Sequence, residues 1–179
     1  TFNGNGSLEG PWTVNWINGT ISGTLNAGTD VVLNVNGASN KNLFAATFNN
    51  YGVFNWNGGR AIYSYAFDPN DRSTFNNMEN AVFNIAADGD VFDVNYTSSI
   101  FHNHPGALLV KSAGADAAIL NDYEFVNAGE VRVESGTLRF GGRLTIDPGA
   151  VFEAPLGTSA FAGETILNTL LLSSGNLVL

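Results

Sequence analysis

Short segments in which apolar and polar residues alternate follow one another along most of the chain, and turns rich in Asn and Gly separate them. Residues 131–133, 138–140 and 144–146 are three such segments in close succession. Alternation with a period of two residues places the apolar side chains on one face of a strand. Asn and Gly favour turns because both tolerate left-handed backbone angles. The pattern therefore predicts an all-β protein of short strands, each with one buried face.

A tripeptide of the form Phe-x-Asn recurs four times, at intervals of 27, 26 and 24 residues. Its phenylalanines are Phe48, Phe75, Phe101 and Phe125, and its asparagines are Asn50, Asn77, Asn103 and Asn127. Self-similarity of this kind is typical of repeat architectures, in which each repeat stacks on its neighbours. Identical amides one strand spacing apart can hydrogen-bond to one another. We therefore predict that the phenylalanines stack inside the protein and that the asparagines form a structural ladder at one corner.

A turn and a further strand follow each tripeptide. The predicted inward pairs of these strands are Phe54 and Trp56, Phe83 and Ile85, Leu108 and Val110, and Val131 and Val133. The residue within each pair is predicted to point outward; it is polar in three strands and is Leu109 in the other. Related segments extend the series from Val14 to Phe152, which gives seven rungs spaced 19 to 29 residues apart.

One repeat contains three short strands and three tight turns, which matches one coil of a parallel β-helix. Parallel crossover connections are right-handed in nearly all proteins. We predict a right-handed, single-stranded parallel β-helix of about seven coils over residues 1–179, with irregular insertions near 36–47 and 57–74. A rise of about 4.8 Å per coil gives a rod about 30–35 Å long. The chain is expected to be a segment of a longer protein.

Residues 125–138 and 144–150 carry the repeat most clearly and read FVNAGEVRVESGTL and LTIDPGA. They resemble the Asn- and Gly-rich β-helical repeats of large bacterial surface and secreted proteins, such as autotransporter passengers and filamentous-haemagglutinin-like adhesins. The likeness is clearest over residues 12–154. The resemblance implies export, a cell-surface or extracellular location, and a non-enzymatic role as a stalk, filament or adhesin segment. It brings no active site, because these repeats have none in common.

The charge composition narrows the range of partners. Seven Lys and Arg against sixteen Asp and Glu give a net charge of −9, and the cations are scattered singly. Nucleic acids and anionic membranes are recognised through clustered cations, so neither is expected as a partner. No apolar run approaches the roughly 20 residues of a membrane-spanning helix. The absence of Cys excludes disulfides and thiol-based metal sites.

Self-association is one of two interpretations of the end of the chain. A solenoid leaves open strand edges at its ends, which natural proteins cap with charge, Pro or a helix. Residues 170–179 are largely apolar and carry no charged side chain. Either flanking coils of the same chain continue the rod, or the rod stacks head to tail on another copy.

Two surface features are candidates for ligand binding. Tyr63, Tyr65 and Phe67 alternate with small residues and share one face, so they can stack on sugar rings. A carbohydrate-binding module is therefore the first alternative function, and packing beneath a loop is the other interpretation of the aromatic strip. The acidic cluster of Asp88, Asp90 and Asp93 could hold Ca²⁺, although Asp beside Gly is also what a turn requires. No other cofactor is predicted.

A polysaccharide lyase or hydrolase is the second alternative. Such enzymes need carboxylates that converge on one groove beside a cation. Asp71 or Asp93 with Arg60 or Arg72 is the grouping that the sequence offers. We nevertheless predict no enzymatic activity. Ice binding on a flat solenoid face would require outward Thr residues in register, which the spacing of Thr does not indicate.

Overall fold

The computed structural model describes residues 1–65, 68, 71–95, 99–161, 165–167 and 171–178. These residues form 21 strands and no helix, so the described part of the chain also contains no helical segment that could span a bilayer. Strands pair in parallel with the equivalent strands one coil away. The predicted all-β parallel β-helix of about seven coils is confirmed.

Each coil contributes strands to three faces that run along the axis. The first face contains β3 (Thr13–Trp16), β5 (Val32–Val35), β7 (Val53–Trp56), β10 (Val82–Ile85), β13 (Leu108–Lys111), β16 (Glu130–Val133) and the starts of β19 (Val151–Phe161) and β21 (Leu171–Val178). The second face contains β1 (Phe2–Asn3), the starts of β4 (Gly19–Ala27) and β6 (Lys41–Asn50), β8 (Ile62–Tyr65), β11 (Gly89–Asn95), β14 (Ala117–Leu120), β17 (Thr137–Phe140) and the ends of β19 and β21. The third face contains β2 (Gly6–Leu8), the ends of β4 and β6, β9 (Thr74–Asn77), β12 (Ile100–Asn103), β15 (Glu124–Asn127), β18 (Leu144–Ile146) and β20 (Thr165–Leu167).

The inward positions of the third face form a column of phenylalanine rings. Phe48 stacks on Phe75 with the ring centroids 4.9 Å apart, and Phe75 stacks on Phe101 at 5.1 Å. Phe125 continues the column, 5.2 Å from Phe101. Two rings of the first face meet this column edge-on. Stacked and edge-to-face contacts are the arrangements that aromatic rings prefer, and the predicted internal phenylalanine column is confirmed.

The prediction of Leu108 and Val110 as an inward pair is wrong by one residue. Leu109 is fully buried and pairs in register with inward residues of β10 and β16. Lys111 is the second inward residue of this strand and is also fully buried. Because side chains alternate along a strand, a slip of one residue exchanges the inner and outer sets.

A lysine at an inward position concealed the register of β13. Lys111 extends its apolar stem along the interior and carries its ammonium to the turn that follows. Its Nζ donates to Asp88 Oδ1 at 2.8 Å and to the Ala113 carbonyl oxygen at 2.6 Å. The buried charge is therefore paired and hydrogen-bonded, which makes its burial tolerable.

Both ranges that were predicted to be irregular insertions contain strands of the second face. The start of β6 lies within residues 36–47, β8 lies within residues 57–74, and the two strands pair in register. In β6 the irregularity is local: Ala45 has a positive φ of 45°, at the bend between the second and third faces. The strand β8 brings Tyr63 and Tyr65 of the aromatic strip onto the second face.

The turns between the third and first faces stack as closely as the strands. A Cβ atom at Gly52 would lie 2.3 Å from the Val31 carbonyl oxygen. At Gly129 it would lie 2.5 Å from the His104 carbonyl oxygen. Glycine is the residue that permits so close an approach of two backbones, so coil stacking itself requires these two glycines.

Candidate functional site

The inner edge of the third face holds a ladder of four buried amides. Asn50 Nδ2 donates to Asn77 Oδ1 at 2.9 Å, and Asn77 Nδ2 donates to Asn103 Oδ1 at 2.9 Å. Asn103 Nδ2 continues to Asn127 Oδ1 at 2.8 Å. The first three amides also donate to backbone carbonyls of the following coil, at 3.0 to 3.2 Å. The predicted ladder is confirmed, and its hydrogen bonds offset the cost of burying polar groups.

Two further amide ladders run along the outer surface, and the sequence analysis did not include them. On the first face, the Nδ2 atoms of Asn34, Asn55 and Asn84 each donate to the Asn one coil earlier, at 3.0 to 3.3 Å. On the third face, Asn49 and Asn76 do the same at 2.7 Å. The signal was in the sequence, because these residues lie between two inward side chains at equivalent positions of successive repeats.

Ion pairs replace amides on the outer surface of the later coils. Arg132 pairs with Glu130, with Glu134 at 4.0 Å and with Glu153 at 3.3 Å. On the third face, Glu124 pairs with Arg143 at 3.5 Å. On the first face, Arg132 and Glu153 from successive coils therefore face one another in the column where the earlier coils place asparagines, whereas Glu124 on the third face lies in the column of Thr74.

An aromatic cleft of about 400 Å³ opens on the second face. Its walls are Asn40, Asn42, Arg60, Tyr63 and Tyr65. Tyr63 and Tyr65 alternate with the buried side chains of β8, so both lie on the outer side, in agreement with the predicted strip. Phe67, the third member of that strip, lies outside the described residues. The guanidinium carbon of Arg60 is 5.6 Å from the centroid of the Tyr63 ring, and the Tyr65 and Phe44 centroids are 5.1 Å apart.

A buried lysine fixes the turn that borders this cleft. Lys41 is fully buried, and its Nζ donates to the carbonyl oxygens of Asn36, Gly37 and Ser39 at 2.9 to 3.2 Å. Burial lowers the pKa of Lys41, and the nearby charge of Arg60 lowers it further. Three acceptors on one ammonium hold residues 36–39 in a single conformation.

The structure does not bring the aspartates of the predicted Ca²⁺ site together as a ligand set. Asp88 accepts hydrogen bonds from Lys111 Nζ and, at 3.1 Å, from the Asp116 N–H, and both bonds lower its pKa. Asp93 accepts from the neighbouring backbone N–H at 2.8 Å, and Asp90 is exposed. No group of three His, Cys, Asp or Glu within the described ranges is placed to hold a metal ion. The Ca²⁺ hypothesis stays a prediction without geometric support.

The residues considered for catalysis lie in two separate places. Arg72 pairs with Glu124 at 3.7 Å. Arg60 lies at the aromatic cleft, and Asp93 occupies the register position beside Tyr63 on the following coil. The absence of enzymatic activity stays a prediction.

Three outward threonines are aligned, contrary to the expectation from their spacing. Thr24, Thr47 and Thr74 occupy equivalent register positions on the third face. The next two coils place Ile100 and Glu124 at this position, so the row ends after three coils. Thr47 and Thr74 each directly precede the Phe of the repeated tripeptide, so the sequence repeat already aligns these two residues.

A cluster of hydroxyl groups lies inside the solenoid. Ser64 and Ser99 hydrogen-bond to each other, and Tyr123 lies beside them. All three residues are buried, and burial raises the pKa of Tyr123. Their burial separates them from solvent, so the cluster is part of the core and not a reactive site.

The stacked columns and the aromatic cleft are the features from which a function is proposed below. Comparison with known protein families, with curated proteins and with solved structures finds no match for this chain. The described residues support a solenoid with an aromatic cleft on its second face.

Proposed function

We propose that this chain is a structural and adhesive segment of an exported protein at a cell surface or outside the cell. It would act as part of a stalk, filament or adhesin, in the manner of autotransporter passengers and filamentous-haemagglutinin-like proteins. The observation that carries the proposal is the continuity of the columns: the amide ladder and the phenylalanine column pass from coil to coil along one axis. Such stacking suits a protein that holds two points apart.

The composition supports an extracellular setting. The chain lacks Cys, so oxidation of thiols cannot damage it, and its net charge of −9 favours solubility. Two outward columns of the earlier coils consist of uncharged amides that hydrogen-bond to one another. A chain without thiols does not depend on the reducing interior of a cell.

The location is tested by labelling intact cells of the native host with antibodies against this chain. We expect labelling without lysis and loss of the signal after brief protease treatment of whole cells. A signal that appears only after lysis would contradict the proposed location.

The mode of assembly is tested by light scattering over a concentration series. A constant monomer mass favours a rod segment whose partners are flanking coils of the same chain. A mass that rises with concentration favours head-to-tail stacking of copies, in which the filament itself is the function.

A further inference from the structure

The aromatic cleft lies beside two cations, Lys41 and Arg60. Neither Lys41 nor Arg60 forms a salt bridge among the described residues, whereas Arg72, Lys111 and Arg132 do. The two charges are close enough for Arg60 to influence the ionisation of Lys41. In a chain with sixteen acidic and seven basic side chains, this is an unusual local excess of positive charge.

The two cations differ in what they can bind. The ammonium of Lys41 is buried and already donates to three backbone carbonyls. Arg60 is exposed, and its guanidinium lies over the Tyr63 ring at the rim of the cleft. A guanidinium presents paired N–H donors that match the two oxygens of a carboxylate. Arg60 is therefore the group that a negatively charged ligand would meet.

The coil before Tyr63 contributes an acceptor for a hydroxyl group to the cleft. Asn42 donates through Nδ2 to Thr20 Oγ1 at 3.3 Å. Its Oδ1 atom makes no hydrogen bond within the described parts of the chain. An amide oxygen in a partly enclosed site is a suitable partner for a sugar hydroxyl, since orientation in such sites comes from a few polar groups.

The walls are held in place before any ligand arrives. Lys41 fixes the turn at residues 36–39, and the Arg60 N–H donates to the Gly37 carbonyl oxygen at 3.2 Å. A Cβ atom at Gly59 would lie 2.4 Å from that oxygen, so the two turns are in close contact. A preformed site loses less conformational entropy on binding.

We propose that this cleft binds a polysaccharide that contains uronic acid units. A sugar ring stacks on the outward rings of Tyr63 and Tyr65, its carboxylate pairs with Arg60, and a hydroxyl group donates to Asn42 Oδ1. Asp93 lies on the coil beyond Tyr63, away from Asn42, and does not line the cleft. This inference rests on the proposed function, whose adhesive part it makes specific.

The test is binding of the whole chain to polygalacturonate and to alginate, measured by calorimetry and by retardation in polymer-containing gels. Carboxyl-reduced polygalacturonate, which carries no charge, is the control polymer for the carboxylate contact. We expect the neutral polymer to bind about tenfold more weakly, which corresponds to the loss of one charged contact. Equal affinity for the neutral polymer would overturn the role of the carboxylate, and no binding of either polyuronate would overturn the proposal.

Matched variants locate the site. Arg60→Gln and Tyr63→Leu are each expected to lower the affinity about tenfold. The controls are Arg139→Gln, an exposed cation on the same face, and Tyr51→Leu, an exposed aromatic residue outside the cleft. Thermal unfolding of each variant verifies that it folds. Equal losses in Arg60→Gln and Arg139→Gln would indicate unspecific attraction of the polymer and contradict a built site.

The two proposals fail in different ways. Surface labelling of cells with no polyuronate binding would overturn only the ligand assignment. Polyuronate binding by a chain that is found inside intact cells would leave the cleft in place and overturn the extracellular role.

Discussion

The coils up to residue 103 and the coils after it present different side chains on the same backbone. Twenty of the 24 asparagines lie in residues 1–103. In that part, the outward columns of the first and third faces are amide ladders. In the later coils, the equivalent outward positions carry Arg132 and Glu153 on the first face, with ion pairs in place of amide contacts.

The difference shows what in-register stacking requires of a side chain. Every outward residue faces its counterpart one coil away, at a distance of about 4.8 Å. An amide can repeat without change because it both donates and accepts. A charge cannot repeat, since like charges directly opposite each other are destabilising. The later coils satisfy the same requirement by alternating the sign of the charge, as Arg132 and Glu153 do.

The largest expected loss of stability distinguishes the buried Asn ladder of the third face from the two amide ladders on the outer surface. Asn77→Ala leaves Asn103 Oδ1 and the Leu108 carbonyl oxygen without their donor inside the core. Each unsatisfied buried polar group costs about 1–3 kcal/mol. We expect the free energy of unfolding, measured in urea, to fall by about 3 kcal/mol.

The matched control for this change is Asn55→Ala in the outer ladder of the first face. Asn55 is only half-buried, so water can replace the lost hydrogen bonds. The expected loss is less than about 1 kcal/mol. Equal losses in the two variants would mean that burial does not distinguish the ladders, and the comparison would fail.

A smaller effect is expected from reversing one charge in the later coils. Arg132→Glu places a carboxylate among Glu130, Glu134 and Glu153. Because all four groups are partly exposed, we expect a loss of about 1 kcal/mol in the free energy of unfolding. About 1 M NaCl should recover part of it, since salt at that concentration shortens the screening length to about 3 Å. A loss that salt does not change would point to packing and not to charge.

Most of the fold follows from the sequence, because a repeat of inward Phe and Asn leaves few ways to align successive coils. The errors in predicting strand positions have a common cause. Lys41, Ser64 and Lys111 all occupy inward positions, and a polar residue there interrupts the apolar alternation from which strands are inferred. For this reason the sequence predicts insertions where β8 and the start of β6 lie, and it places β13 one residue out of register.

The candidate site was predictable only in part. The alternation in β8 is enough to place Tyr63 and Tyr65 on one outer face. Asn42 and the turn at residues 36–39 belong to the preceding coil, and no pattern along the chain indicates that they border the same cleft. Register between coils, which depends on turn length and on the bend at Ala45, brings them together.

The smallest expected effect is a pH dependence of the stability, and it arises where the outer amide ladder of the third face ends. His102 occupies the register position after Asn76, and His104 Nε2 lies 3.3 Å from Asn76 Oδ1. Burial lowers the pKa of His102 below its ordinary value of 6.5, and the charge of His104 lowers it further, while Glu124 and Asp147 oppose this shift.

The unfolded chain therefore binds a proton at His102 more readily than the folded chain does. The free energy of unfolding should decrease as the pH falls through about 6.5. Asp88 does not contribute in this range, because the lowered pKa of its carboxyl places its own effect below about pH 4. Urea unfolding between about pH 7.5 and 5.5 measures the slope. His102→Asn replaces the titrating group with an amide that can extend the ladder by one coil, so its slope should be shallower. If the variant keeps the slope of the parent chain, the pH dependence arises from a group other than His102.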